Sequence, residues 1–213
     1  MHDNLLSTWE FSADRDSSSV ILPDGCRDII FTTTEQAKHD CFVTSLFDRA
    51  TQVSIQAGAV MTGFRLKPGV RVKHGYFMNS VSSRHVDKDE IYNRIDDFTF
   101  LNPSLEEALE YLASAVKSVA QVAKEIGVSQ RTLQRLLMLE TNRSPTYWLM
   151  LARARKAARS LTGSIPLIEI ADSFGYSDQA HMSREFKRWF NISPSKLRDS
   201  PVFIDQLNHS GYD

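Results

Sequence analysis

The chain has few of the features that mark membrane, secreted or metal-binding proteins. Its longest apolar runs fall far short of the ~20 residues that a transmembrane helix requires, so no membrane partner is expected. No apolar core segment follows Asp3, which argues against a secretory signal and predicts a cytoplasmic location. Cysteine occurs twice, at Cys26 and Cys41, and in a reducing compartment both are expected to be thiols.

Metal-binding patterns are also absent from the sequence. His39 and Cys41 lie two positions apart, but no paired Cys-x-x-Cys or His-x-x-x-His spacing accompanies them. We therefore expect neither a metal site nor a cofactor. With 213 residues, 42% apolar and 24% charged, the composition is that of a soluble globular protein with one large or two small domains.

Charge is unevenly distributed, although the net value is only −1. Residues 1–100 contain 11 Lys and Arg against 14 Asp and Glu, a balance of −3. Residues 117–198 contain 14 basic and 6 acidic residues, a balance of +8. This asymmetry predicts an acidic regulatory part joined to a basic part that binds a polyanion.

Two segments in the basic half repeat each other. In each copy a small residue precedes a glycine by four positions: Ala123 and Gly127, then Ala171 and Gly175. The small residue lets two helices approach closely, and the glycine ends the first helix in a left-handed conformation. A serine after the glycine is expected to cap the next helix, which completes the pattern of a helix-turn-helix. Matching residues of the two copies are 48 positions apart up to the pair Ser129 and Ser177, and 49 positions apart after it. The second turn is therefore one residue longer than the first. The pairs at the interval of 49 are Leu133 and Met182, Leu137 and Phe186, Asn142 and Asn191, Ser144 and Ser193, and Pro145 and Pro194.

The predicted fold class is α+β. A small β-rich N-terminal domain precedes an all-α seven-helix domain, in which a linker helix joins two helix-turn-helix units. The predicted boundaries are a β-rich sensor or dimerisation domain at 1–76, a polar connecting segment at 77–103, the tandem helix-turn-helix domain at 104–199, and a polar, frayed tail at 200–213. The linker helix, from Pro145 to about Leu161, is long enough to bring the two recognition helices toward adjacent major grooves of one DNA duplex.

The open faces of the two predicted recognition helices carry the candidate DNA contacts. Arginine makes bidentate contacts to guanine and glutamine to adenine. Lys187 and Arg188, near a helix end, are expected to reach phosphates instead. Aromatic residues in the helical half of the chain, such as Trp148 and Phe186, have the spacing of core residues rather than of a surface that stacks on single-stranded bases. The candidate contacts are Gln130, Arg131, Gln134 and Arg135 in the first unit, and Gln179, His181, Ser183, Arg184, Lys187 and Arg188 in the second.

Residues 104–199 resemble the DNA-binding domain of the AraC/XylS family of bacterial transcription regulators. The second unit is the more specific part, with Phe174-Gly175-Tyr176 followed by Ser177-Asp178-Gln179 and then Ser193-Pro194. The resemblance implies seven helices, base contacts from Arg131, Gln134, Arg135, Gln179 and Arg184, and activation through contact with RNA polymerase. Asn142 and Asn191 depart from the glycine common in the family, but asparagine also tolerates a left-handed cap.

The N-terminal half predicts a small sheet or partial barrel. Val20 to Leu22 and Ile29 to Phe31 flank a Pro23-Asp24-Gly25 turn, which suggests a hairpin. Further strands are predicted over 51–57 and 61–66. The Leu22–Cys26 segment and the Gly63–Gly69 segment resemble a short N-terminal domain of some family members, where such domains sense small-molecule effectors or dimerise. The chain is compatible with either a monomer or a homodimer on DNA.

Two other classes compete with a non-enzymatic regulator that binds double-stranded DNA. A DNA-repair alkyltransferase-like enzyme would need a nucleophilic cysteine in a basic or metal-bound environment. Cys26 lies beside Arg27 but also near Asp24 and Asp28, which disfavours that interpretation. A protein-binding antagonist without DNA affinity would not be expected to keep the Arg and Gln pattern of both helices.

Overall fold

The structure is a computed structural model that describes residues 3–33, 39–73, 75, 77, 88–114 and 118–213. The chain forms two compact units. The first comprises Met1–Val20, Cys26–Leu46 and Gln52–Asn102, and the second comprises Ile21–Gly25, Phe47–Thr51 and Pro103–Asp213. Among the helices described, none is long and apolar enough to cross a membrane.

The described strands are β1 (Leu5–Ser12), β2 (Ser17–Ile21), β3 (Arg27–Thr33), β4 (His39–Val43), β5 (Thr51–Ile55), β6 (Val60–Leu66), β7 (Arg71–Val72) and β8 (Thr99–Phe100). The first unit is built on an antiparallel four-stranded sheet in the order β1-β6-β3-β4. β2 and β5 pair with each other, as do β7 and β8. The strands predicted over 51–57 and 61–66 are confirmed as β5 and β6.

The predicted hairpin across Pro23-Asp24-Gly25 is wrong. β2 pairs with β5, whereas β3 pairs with β4 and β6, so the two segments belong to different sheets. Leu22, Pro23 and Gly25 are buried, and Gly25 has φ +73°. A Pro-Asp-Gly sequence favours a change of chain direction, but burial of its flanking residues decides which strands pair.

The prediction of a polar connecting segment at 77–103 is also wrong for the part of it that the structure describes. Helix α1 (Lys88–Phe98) lies there and buries Ile91, Ile95 and Phe98, which recur at helical spacing. These side chains join the core of the first unit with sheet residues such as Ile29 and Phe64. The four acidic residues of this helix, which suggested a linker, lie on its exposed face; they are Asp89, Glu90, Asp96 and Asp97.

The second unit contains the predicted domain of seven helices. Between residues 103 and 199, the described part of the chain forms α2 (Pro103–Ser114), α3 (Val119–Glu125), α4 (Gln130–Thr141), α5 (Pro145–Arg159), α6 (Leu167–Ser173), α7 (Gln179–Phe190) and α8 (Pro194–Arg198). Helix α5 is the linker helix, and nine of its residues are buried. Trp148, Phe186, Trp189 and Phe190 are each at most 1% exposed, which confirms that these aromatic side chains pack in the core.

The tail predicted to fray from Ser200 is instead folded. Helix α9 (Pro201–Asn208) follows α8 and buries Leu207. Tyr212 is also buried, with its ring edge-on to Trp148 at 4.8 Å between centroids. Its hydroxyl donates to the carbonyl oxygen of Leu109 at 2.9 Å. The tail is ordered because these apolar groups gain burial, although its sequence is mostly polar.

Candidate nucleic-acid interface

The first helix-turn-helix unit is formed by α3 and α4. Ser118 begins α3 with a capping box, in which its hydroxyl accepts from the Gln121 amide and the Gln121 side chain accepts from the Ser118 amide. Gly127 then adopts φ +72°, the left-handed conformation predicted for it. The hydroxyl of Ser129 caps α4 by accepting from the Thr132 amide at 3.1 Å. Both caps and the turn are therefore local consequences of the sequence.

The second unit is formed by α6 and α7, and its cap differs from the prediction. Gly175 has φ +68°, but the residue that caps α7 is Asp178, whose carboxylate accepts from the His181 amide at 2.6 Å. The expectation that Ser177 caps this helix is wrong. The turn has one extra residue, so the position that matches Ser129 at an interval of 49 is Asp178.

The two recognition helices expose the faces that the sequence assigned to DNA. Leu133 and Leu137 anchor the inner face of α4, and Met182 and Phe186 anchor that of α7. The opposite faces are available to a partner. Exposed candidates are Gln130, Arg131, Gln134 and Arg135 on α4 and Gln179, Arg184, Lys187 and Arg188 on α7, whereas His181 and Ser183 are half-buried.

The arginines among the candidate contacts differ in whether other residues of the protein already bind their side chains. No described residue forms a hydrogen bond or ion pair with the side chains of Arg131, Arg135 or Arg184. Arg188, in contrast, has its Nη1 3.7 Å from a carboxylate oxygen of Glu185, and its guanidinium lies over the Trp189 ring at 5.2 Å. A contact of these three arginines with DNA would therefore require no ion pair with a described residue to be broken.

His181 is tied to the turn that precedes its helix. Its Nδ1 accepts from the Ser177 backbone amide at 3.3 Å and is 3.1 Å from the Ser177 hydroxyl. The ring meets Tyr176 edge-on, with 5.4 Å between centroids. Because Nδ1 is occupied, Nε2 is the ring nitrogen that an external partner could use.

Arg153 has a role that its sequence position did not reveal. From the linker helix, its Nη1 donates to the carbonyl oxygen of Gly175 at 3.3 Å, and its guanidinium lies over the Tyr176 ring at 5.6 Å. Burial raises the pKa of Tyr176 well above its ordinary value, so this ring stays neutral. Arg153 thus fixes the second turn from a distance of 22 residues along the chain, which no local pattern could indicate.

Other basic residues of the linker helix are used inside the unit rather than presented to DNA. The Lys156 ammonium donates to the carbonyl oxygen of Ala113. Arg159 donates from Nε to the carbonyl oxygen of Leu207 at 2.7 Å and pairs with Asp213. These cations hold neighbouring helices against α5.

The residues required by an alkyltransferase do not form a reactive centre in the described structure. Cys26 is 3% exposed. Burial, followed by the neighbouring Asp40 carboxylate, raises the pKa of Cys41 to about 12, which suppresses its thiolate. Among the described residues, no group of three or more His, Cys, Asp or Glu side chains is arranged to hold a metal ion.

Comparison with known proteins places this interface among helix-turn-helix regulators. A family profile described as a helix-turn-helix domain matches residues 122–200. The multiple antibiotic resistance protein MarA of Escherichia coli strain K12 is 27% identical over 135 residues, which cover 61% of this chain and 98% of MarA. The probable thc operon regulatory protein of Rhodococcus erythropolis is 33% identical over 102 residues, covering 44% of this chain and 31% of that protein. Among solved structures, a transcriptional regulator of the AraC type from Chromobacterium violaceum is 28% identical with a TM-score of 0.44, covering 46% of this chain and 90% of the other.

Proposed function

Because the chain belongs to the AraC/XylS family of bacterial transcription regulators, we propose that it activates transcription by reading two adjacent major grooves of one duplex. It is a DNA-binding transcription regulator, and the proposal concerns how it binds DNA and how binding changes transcription. The main support for reading of two grooves is that both helix-turn-helix units have the same arrangement of buried and exposed side chains. Each recognition helix is anchored by at least two buried apolar residues and presents exposed Arg and Gln side chains on its other face.

We assign direct base readout to the side chains near the start and middle of each recognition helix. In α4 these are Arg131, Gln134 and Arg135, and in α7 they are Gln179 and Arg184. Arg can donate two hydrogen bonds to guanine O6 and N7, and Gln can donate to adenine N7 while it accepts from adenine N6. The remaining candidates serve phosphates or the edge of the groove; they are Gln130, His181, Ser183, Lys187 and Arg188.

The linker helix supports reading of two grooves by a single chain. Helix α5 has 15 residues, which correspond to roughly 22 Å at ~1.5 Å per residue. The turns at both ends extend this length toward the ~34 Å that separates successive major grooves on one face of B-DNA. A bipartite site with its halves about one helical turn apart is therefore expected.

Selection of bound duplexes from a random library, using the purified full-length protein, tests the proposal. We expect a motif with two parts separated by about one helical turn. A footprint of only ~5 base pairs, corresponding to one groove, would contradict reading by both helices.

The variant Arg184→Ala tests base readout within that motif. We expect it to weaken binding to the selected site by about 1–3 kcal/mol and to relax base preference in one half only. Lys187→Ala is the matched comparison, since loss of a phosphate contact should weaken binding to all sequences and reduce the salt dependence. If Arg184→Ala weakened all sequences equally, Arg184 would be a phosphate contact instead.

We further propose that the N-terminal unit senses a small-molecule effector or mediates dimerisation, and that the DNA-bound protein contacts RNA polymerase. The family supports these roles. Sedimentation of the free and DNA-bound protein distinguishes a monomer from a homodimer. Transcription in vitro with purified polymerase, from a promoter that carries the selected site, should increase when the protein is added.

A further inference from the structure

A short segment from the N-terminal half of the sequence, Phe47–Thr51, belongs to the compact unit of helices. It lies outside residues 122–200, which the family profile matches. We call it the bridge segment, because it binds residues just after the first recognition helix and at the end of the second. Its last residue is also the first residue of strand β5.

One end of the bridge segment is bound just after the first recognition helix. Asp48 accepts two hydrogen bonds from Arg143, at 2.8 Å from Nε and 3.1 Å from Nη2. Arg143 directly follows Asn142, the left-handed residue that ends α4. The carbonyl oxygen of Phe47 accepts from the hydroxyl of Tyr147 at 3.3 Å. A bidentate ion pair and a second hydrogen bond thus fix this end of the segment.

The other end is bound to the second recognition helix. The Ala50 amide donates to the carbonyl oxygen of Trp189 at 2.7 Å. The Ala50 carbonyl oxygen accepts from Nδ2 of Asn191 at 2.8 Å. Asn191 is the left-handed residue that ends α7, and Ala50 itself is 6% exposed. Both backbone polar groups of Ala50 are therefore satisfied by the end of this helix.

The two attachment points lie near equivalent positions of the internal repeat: Asp48 binds Arg143, the residue after Asn142, whereas Ala50 binds Asn191 itself. Asn142 and Asn191 are 49 residues apart, the interval that relates the two recognition helices. Asp48 and Ala50 are only two residues apart, so their α-carbons are separated by at most about 7 Å. The Tyr147 ring centre is 5.4 Å from the Arg143 guanidinium carbon and 5.3 Å from the centre of the Trp189 ring. The ends of the two helices are thus linked both through the bridge segment and through Tyr147.

We propose that the bridge segment sets the relative orientation of the two recognition helices, and through it the spacing of half-sites that the protein accepts. The inference rests on the proposed bipartite reading of DNA. Asp48, Ala50 and Asn191 are positioning residues in this scheme, since they act on the helices rather than on the bases.

The chain offers a matched pair of variants for the test. Asn191→Gly removes the hydrogen bond to Ala50 but keeps a residue that readily adopts the φ of 57° found there. Asn142→Gly makes the same change at the equivalent cap, with φ 55°, where no hydrogen bond of the side chain to the bridge segment is found in the described structure. Any general effect of glycine at a helix end is therefore common to both variants.

The measurement is the affinity of the full-length protein for its selected site and for the same site with one or two base pairs inserted between the halves. Each inserted base pair rotates the second half by about 35°. The spacing ratio is the affinity for the selected site divided by the affinity for the site with inserted base pairs. We expect this ratio to fall about three- to ten-fold in Asn191→Gly, because one neutral hydrogen bond no longer restrains the second helix. The ratio for Asn142→Gly should equal that of the unmodified protein.

A second variant acts on the other end of the bridge. Asp48→Asn weakens the ion pair with Arg143 and should lower the same ratio about two- to five-fold, since the Asp48 side chain is 59% exposed. Glu110→Gln, at an exposed carboxylate of α2, controls for the loss of one negative charge. Thermal unfolding of each variant verifies that the helices remain folded.

The outcomes separate this inference from the function on which it rests. If the unmodified protein discriminates spacing but Asn191→Gly and Asp48→Asn do so equally well, the bridge segment does not set the spacing. If the unmodified protein itself binds all spacings equally, bipartite reading is wrong and the inference falls with it.

Discussion

Gly25 and Gly127 provide a direct test of how the second unit is packed, because they share a backbone conformation but not an environment. Their φ values are +73° and +72°. A β-carbon added at Gly127 would have no heavy atom within 4 Å. A β-carbon added at Gly25 would lie 2.8 Å from Cβ of Tyr212, 2.9 Å from Cζ3 of Trp148 and 3.3 Å from Cδ2 of Leu151. Replacement of each glycine by alanine therefore separates backbone strain from steric overlap.

The expected losses of unfolding free energy are the sum of backbone strain and steric overlap. An L-residue in the left-handed region costs about 1–2 kcal/mol, which is the whole expected loss of stability for Gly127→Ala. At Gly25 the same strain is joined by overlap with Tyr212 and Trp148, which are buried and have little room to move. Overpacking of this kind adds about 1–3 kcal/mol. We therefore expect Gly25→Ala to lose about 2–5 kcal/mol of the free energy of unfolding.

Urea unfolding of the full-length protein measures the difference. Circular dichroism at the helical minimum reports on the helices, and tryptophan fluorescence reports on Trp148 and Trp189, which are buried in the same unit. The midpoint should fall further for Gly25→Ala than for Gly127→Ala, with similar slopes. Equal losses in the two variants would mean that Gly25 is not packed against Tyr212 and Trp148, and would refute the reasoning.

Two further predictions concern buried polar groups. Tyr212→Phe removes the hydroxyl that donates to the carbonyl oxygen of Leu109, so Tm should fall by about 1–6 °C for a loss of about 0.5–1.5 kcal/mol; an unchanged Tm would place Tyr212 in solvent. The second prediction concerns Cys41, whose pKa is raised to about 12, so that little of its thiol is ionised at pH 8. Because the thiolate is the reactive form, alkylation of Cys41 in the native protein should become about ten-fold faster with each pH unit up to pH 11. Mass spectrometry of the iodoacetamide product measures this rate, and a plateau near pH 9 would contradict the shielding of Cys41 by burial.

Local signals predicted the helical half well. The cap at Ser129 and the left-handed Gly127 and Gly175 involve partners within five residues, which a sequence pattern can display. Asn142 and Asn191 also fit, since both end their helices with positive φ. The error at Ser177 arose from one extra residue in the second turn, which moved the cap to Asp178.

Non-local pairing explains most of what the sequence did not reveal. The partner of β2 is β5, some 30 residues further along the chain, and no local signal distinguishes it from β3. Helix α1 was missed because its acidic face is more conspicuous than the stripe of Ile91, Ile95 and Phe98. The DNA contacts assigned to α4 and α7 stay a prediction, although their exposure is what such contacts require.

The compact unit of helices includes residues outside 104–199, the segment in which the sequence repeat predicts a DNA-binding domain. Arg155, in the middle of the linker helix, is 1% exposed, and its guanidinium donates to the carbonyl oxygens of Pro23 and His209. Neither partner lies in the repeat. A fragment confined to residues 104–199 would lose both acceptors and also Tyr212, whose ring packs against Trp148, so apolar surface of the linker helix would be exposed to water. The two recognition helices thus belong to a core that the chain completes from both sides of the repeat, and the stability of that core depends on residues outside 104–199.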